Sequence, residues 1–148
     1  MKFPLERDLV EAFRAALDSG EAPWYGLEHA TEFDFRRGRT DVLATSPRDY
    51  AVYAFEAKLT RWRYALQQAY RSTSFAHRSY VVLPKQTAMV ASRCAQLFKQ
   101  LTVGLCYVDE SAVVLLIEAM EKDPLQQWLT SRARDHIRAH ARTRSACR

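Results

Sequence analysis

The sequence predicts an α/β fold: a mixed β-sheet flanked by helices. Three observations predict it. Apolar residues recur at helical spacing near both ends of the chain and in its middle, short runs rich in β-branched and aromatic residues lie between those segments, and the two kinds alternate along the chain. The order reads α-βββ-α-β-α-ββ-α. Its 148 residues, 48% hydrophobic and 26% charged with four Gly and five Pro, fit one globular domain and exclude collagen-like and low-complexity chains. The domain is expected over residues 1–141, with 142–148 a frayed basic tail.

The first helix is placed at residues 4–18, where Leu5, Leu9, Ala12, Phe13, Ala16 and Leu17 form a stripe between Pro4 and Gly20. A meander of three strands follows: Trp24 to Phe35, Thr40 to Thr45 and Tyr50 to Leu59, separated by Arg36 to Arg39 and Ser46 to Asp49. Thr60 is suited to cap the next helix, whose stripe is Trp62, Ala65, Leu66, Ala69 and Tyr70. Ser79 to Leu83 is a short buried strand closed by Pro84. Residues 86–101 read as one amphipathic helix turning Met89, Val90, Cys94, Leu97, Phe98 and Leu101 to the core. Gly104 to Val108 and Ala112 to Glu118 are two further strands, and Leu125, Trp128, Leu129, Ala133 and Ile137 mark the last helix.

The longest apolar run, Ala112 to Ile117, is far shorter than the roughly 18 residues a membrane span needs. Cys94, Cys106 and Cys147 are odd in number and far apart, which suits reduced thiols in a cytoplasmic protein. Residues 1–128 hold 16 basic and 16 acidic side chains, whereas 129–148 hold six Arg against Asp135 alone, so the +5 excess sits in the tail. That pattern suits either a nucleic-acid footprint or a solvated basic helix end.

The chemistry concentrates between Gly38 and Tyr70. In the third strand Tyr50, Val52, Ala54, Glu56 and Lys58 share one face and Ala51, Tyr53, Phe55 and Ala57 the other; both faces are largely apolar, as in a covered central strand. Burying Glu56 and Lys58 there costs several kcal/mol per ion without partners, so the site needs compensating charge or an opening to water. If the loop is Ser46 to Asp49, Thr45 pairs with Tyr50 and Asp41 lies opposite Ala54, diagonal to Glu56 with alpha carbons about 7–8 Å apart. A slip of two residues sets Asp41 directly opposite Glu56; a slip of one turns it away. Two carboxylates, a main-chain carbonyl and water suit Mg²⁺ or Mn²⁺, and a neighbouring lysine suits orientation of an attacking water beside a phosphate.

Gly38-Arg39-Thr40-Asp41-Val42-Leu43 and, before a helix, Phe55-Glu56-Ala57-Lys58, with fourteen residues between Asp41 and Glu56, resemble the two catalytic motifs of the PD-(D/E)xK nuclease superfamily. The order helix, three-strand meander, helix, strand over about residues 4–84 also resembles its restriction-endonuclease-like core, with the later α-ββ-α as elaboration. The resemblance implies a Mg²⁺-dependent endodeoxyribonuclease in which Asp41, Glu56 and the Ala57 carbonyl hold the ion and Lys58 is the catalytic lysine. It also implies a carboxylate from the first helix, for which Glu6 is better placed than Glu11, and on the first strand Glu32. Gln68 matches the start of a Gln-apolar-Tyr element of some relatives, although Ser72 stands where the tyrosine falls. DNA is the expected partner, with Arg61, Arg63, Arg71, Arg132, Arg134 and Arg138 on its backbone; a binding module that cleaves weakly or not at all is the alternative. One site per chain means that cutting both strands requires a homodimer or successive nicks. The setting, whether repair, restriction or a mobile element, stays open. His136 and His140 lie i, i+4 with no third ligand evident.

Overall fold

The computed structural model describes residues 3–36 and 38–141; the expected tail at 142–148, with Cys147, lies outside them. The chain forms α1 (Glu6–Ser19), β1 (Glu28–Phe35), β2 (Gly38–Thr45), β3 (Val52–Ala57), α2 (Trp62–Ser72), β4 (Arg78–Pro84), α3 (Lys85–Ser92), α4 (Ala95–Gln100), β5 (Gly104–Asp109), β6 (Ala112–Ile117) and α5 (Gln127–His140). The strands make one six-stranded mixed sheet in the order β1-β2-β3-β4-β5-β6. The β1–β2, β2–β3 and β5–β6 pairs are antiparallel, and β3–β4 and β4–β5 are parallel. Parallel neighbours need a crossover. α2 and the α3–α4 pair supply the two.

α1 covers one face by setting Leu9, Phe13 and Leu17 against Val42, Phe55, Tyr80, Val82 and Val108. Its amino end is tied by the Leu5 N–H donating to Asp8 Oδ2 at 3.0 Å, and its carboxyl end by Gly20 at φ 81°. On the other face Ala65, Leu66, Ala69, Ala88, Ala91 and Phe98 of α2, α3 and α4 pack on Val81, Leu83 and Leu105. There too Leu129, Ala133 and Ile137 of α5 cover Leu43, Val52 and Ala54. The wholly buried His29 bonds to Arg14 Nε at 2.9 Å and Asp18 at 2.6 Å, pinning α1 to β1. The Val113 N–H on β6 donates to the Glu21 carbonyl at 2.8 Å.

The element order agrees with expectation, and the differences have physical causes. β1 starts at Glu28 because Gly26, at φ 69°, breaks the extended path. Trp24 is instead a core residue, its ring 4.9 Å from Tyr80 and 5.2 Å from Phe55. The β2–β3 connection is longer than predicted. Thr45 pairs with Val52 because Asp49 accepts the Ala51 N–H and Tyr50 adopts φ 59°. The register is therefore the two-residue slip. Thr60 makes no side-chain cap; the N-cap is Arg61. The predicted 86–101 helix is split around Arg93 and Cys94, and small Ala88 and Ala91 face the sheet while Met89, Val90 and Leu97 are exposed. Tyr70, Leu125 and Trp128 also lie outside the core. Among the described residues no helix is long and apolar enough to cross a membrane.

Candidate active site

The β1–β2 ladder runs regularly from Glu28↔Thr45 to Thr31↔Val42 and resumes at Phe33↔Thr40, but the rung between them, Glu32 and Asp41, is unpaired. Glu32 holds φ 58°, a conformation that costs a non-glycine residue about 1–2 kcal/mol. At this rung the alternation of both strands reverses. Thr31 faces the α1 side with its partner Val42, yet Phe33 and Phe35 pack in the α5 cluster on the opposite face. On β2, Val42 and Ala44 face α1, while the hydroxyl of Thr40 meets Ser72 of α2 at 3.1 Å.

The reversal decides where Asp41 points. Strict alternation would set it beside Leu43 on the face shared by Ala54 and Glu56. Instead it opens into a cavity of about 550 Å³ on the α1 side, lined also by Glu6, Glu11, Arg14 and Glu32. Asp41 and Glu56 nevertheless meet, because β2 and β3 lose their ladder beyond Val42↔Phe55 and each carboxyl takes the other strand's amide. Asp41 Oδ2 accepts the Ala57 N–H at 2.8 Å, and Glu56 Oε1 accepts the Asp41 N–H at 3.3 Å. The two carboxyl groups are also close enough to bond to each other.

Two adjacent carboxylates away from water cannot both stay ionised without a cation. Glu56 is 1% exposed, and burial, followed by the nearby Asp41 charge, pushes its pKa up to about 9. Asp41 is raised as well, chiefly by burial, against the opposing pull of the Ala57 amide, the Glu56 carboxyl and Lys58. The pair therefore shares a proton at neutral pH.

Lys58 leaves β3 with its amide donating to the Val82 carbonyl at 3.2 Å. Its Nζ lies 3.7 Å from Glu6 Oε1 and 5.1 Å from the centre of the Tyr64 ring, which Arg61 also covers at 4.9 Å. Glu6 thus meets the site through Lys58 and through the cavity it shares with Asp41. Gln68 is half-buried on α2; its carbonyl accepts from Ser72 Oγ at 3.5 Å. Glu32, which lines the cavity, pairs with Arg39 at 3.4 Å.

The arginines divide. Arg61 at the N-cap of α2 and Arg63 and Arg71 within it stand exposed, with Arg63 over Trp62 at 4.4 Å. Those of α5 do not converge on Asp41. Arg134 Nε donates to the Tyr50 carbonyl in the β2–β3 connection, Arg138 pairs with Asp135 at 3.0 Å, and Arg132 lies near Glu32, Asp34 and Asp135. His136 Nε2 lies 2.9 Å from the Thr31 carbonyl, an ordinary structural bond. A further cationic feature emerges from the fold. Residues 57–108, which build α2, β4, α3, α4 and most of β5, contain no Asp or Glu but eight Lys and Arg, from Lys58 to Lys99. Counting charge over 1–128 as a block conceals that run.

The donor set matches a hard cation. Asp41 and Glu56 bring carboxyl oxygens to one gap, a chemistry that would suit such an ion. The Ala57 N–H points to Asp41, so the carbonyl of that strand residue faces the same gap. Among the described residues no group of three His, Cys, Asp or Glu side chains forms a metal cage. Mg²⁺ does not require one, since it binds through one or two carboxylates and keeps several waters.

No known protein family matches the sequence, and no curated protein matches it. Among solved structures, the SPO1766 protein of unknown function from Silicibacter pomeroyi superposes with TM-score 0.63 at 15% identity, over 95% of this chain and 85% of that one. The two share a fold. SfsA from Pyrococcus furiosus, solved in complex with Ca²⁺, aligns over 64% of this chain and 54% of its own, with TM-score 0.35 and 9% identity, too distant to carry an argument.

Proposed function

We propose that this chain is a metal-dependent DNA endonuclease built on a restriction-endonuclease-like core. The observation that carries the reading is the meeting of the Asp41 and Glu56 carboxyls in the gap where β2 leaves β3, with Lys58 on the next turn of chain. A helix and a three-strand meander carry that gap and a helix and strand follow it, the order of the superfamily its motifs resemble. Asp41, Glu56 and the Ala57 carbonyl would hold Mg²⁺ or Mn²⁺. Bound there, the ion supplies Lewis-acid polarisation of a phosphodiester and acidifies water. Lys58, steadied between Glu6 and Tyr64, offsets charge on the phosphate and orients the attacking water. Glu6 holds that ammonium in place. The arginines of α2 contact the DNA backbone, and binding falls steeply as salt rises. Double-strand cleavage takes two copies or two successive nicks, and the free Cys94 and Cys106 suit a cytoplasmic setting.

The test is incubation of the purified protein with supercoiled, linear, single-stranded and branched DNA in Mg²⁺, Mn²⁺ or chelator. Cleavage is expected only with metal, and Asp41→Ala and Lys58→Ala are each expected to reduce it by orders of magnitude with the thermal melt retained. Undiminished cleavage in both variants removes the assigned centre. The alternative reading is a nucleic-acid-binding module on the same fold that cleaves weakly or not at all; DNA binding with no cut substrate would select it.

A further inference from the structure

The α2 side carries a second concavity that the candidate centre does not use. It is an open cleft of about 730 Å³ lined by Arg36, in the turn after β1, and by Gln67, Tyr70 and Arg71 of α2. Its size lies within the roughly 300–1,000 Å³ of small-ligand sites. Its lining holds no carboxylate, and neither guanidinium is in an ion pair among the described residues. The cavity across the sheet has the opposite balance, with five carboxylates in its lining against Arg7 and Arg14. Without a cation at Asp41 and Glu56 the α1 side attracts a polyanion poorly, whereas the two guanidiniums of the α2 cleft attract one directly.

Phosphate alone would need only the two arginines. Tyr70 adds a ring left 44% exposed although helical periodicity assigns it to the core, and Gln67 adds an amide able to both donate and accept. Two forks for a phosphodiester, a flat ring and an amide are the groups that recognise a nucleotide whose base is free to stack. A base paired inside a duplex cannot reach such a ring. The cleft is also tied to the centre: Arg71 precedes Ser72, Ser72 bonds to Thr40 at 3.1 Å, and Asp41 follows Thr40.

We infer that the cleft of Arg36, Gln67, Tyr70 and Arg71 binds an unpaired nucleotide of a single strand, the base on Tyr70 and the phosphate between the two guanidiniums. This deepens the nuclease reading, on which it rests for its purpose, by naming single-stranded or branched DNA as the substrate class.

The test is fluorescence anisotropy of the full chain in chelator, with a labelled thymidine oligonucleotide of about 12 nucleotides and a duplex of equal length. The single strand is expected to bind about tenfold more tightly than the duplex. Tyr70→Ala should weaken single-strand binding about tenfold and leave duplex binding unchanged, while Tyr70→Phe keeps the affinity. Arg36→Ala and Arg71→Ala should each reduce the slope of log K against log salt by roughly 0.7. All four positions are exposed or at the surface, and unchanged thermal melts verify folding. Equal affinity for single strand and duplex, or indifference to Tyr70→Ala, overturns the inference. Equal competition by polyglutamate or by phosphatidylserine vesicles overturns it too, because it would reveal a general polyanion surface. Cleavage and binding fail separately: binding without cutting refutes the nuclease and spares the cleft, and cutting without Tyr70-dependent binding does the reverse.

Discussion

Replacing Glu56 by glutamine should make the metal-free protein more stable. In the folded chain Glu56 is protonated up to about pH 9, whereas an ordinary glutamate loses its proton near pH 4.5. Its carboxyl thus has a raised folded-state pKa. The stability associated with it is fully present below about pH 4.5 and is lost as pH rises towards 9. Each unit in that window costs about 1.4 kcal/mol, so at pH 7 holding the proton costs about 3 kcal/mol. Glutamine has the shape of protonated glutamate, donates to Asp41 in its place and releases no proton on unfolding, so it removes that cost. For a chain of this length the gain corresponds to roughly 6–10 °C in Tm. The assay is thermal unfolding of Glu56→Gln and wild type in chelator from pH 5 to 9. The curves should nearly coincide at pH 5 and separate steadily above it, with the variant higher. Mg²⁺ should then raise the wild-type Tm at pH 8 and leave the variant unmoved. A variant less stable than wild type at pH 8, or a gap that does not widen with pH, would falsify the account of the paired carboxyls.

Two other substitutions probe the frame around the site. A Cβ at Gly104 would lie 2.5 Å from the buried Tyr80 ring and 2.7 Å from the Ile117 carbonyl, so Gly104→Ala should cost about 2–3 kcal/mol, seen as a lower urea midpoint. An unchanged midpoint would mean that β5 is free to retreat from Tyr80. Because Glu32 sits at φ 58°, Glu32→Gly should exceed Glu32→Ala in stability by about 1 kcal/mol, although glycine is ordinarily the poorer strand residue. The opposite ranking would rule out the left-handed kink.

Periodicity made most of the sheet legible because a strand covered on both faces leaves an unbroken apolar record, as Val52 to Phe55 does. It also brought Asp41 and Glu56 to neighbouring positions. Turn length was harder to read, since the pairing of Thr45 depends on Asp49 capturing the Ala51 amide and on the unusual backbone of Tyr50. Pattern gave the wrong residues in α3, where helix and sheet approach closely enough that alanines serve better than Met89 or Val90. The reversal at Glu32 and Asp41 has no local signal: neither residue is a glycine, and the reason for the kink lies in where Phe33, Phe35 and Thr40 find their neighbours. The acid-free run from residue 57 to 108 was fully visible and needed only a shorter window.

That kink is shared by two strands, which makes it hard to erase. Straightening only one arm would send Phe33 and Phe35 into water or drag Thr40 away from Ser72, because adjacent extended residues point in opposite directions. A sequence can lose the irregularity only by changing both arms at once. Mutational drift one residue at a time therefore meets a barrier here, and the hairpin carrying Asp41 behaves as a single inherited part.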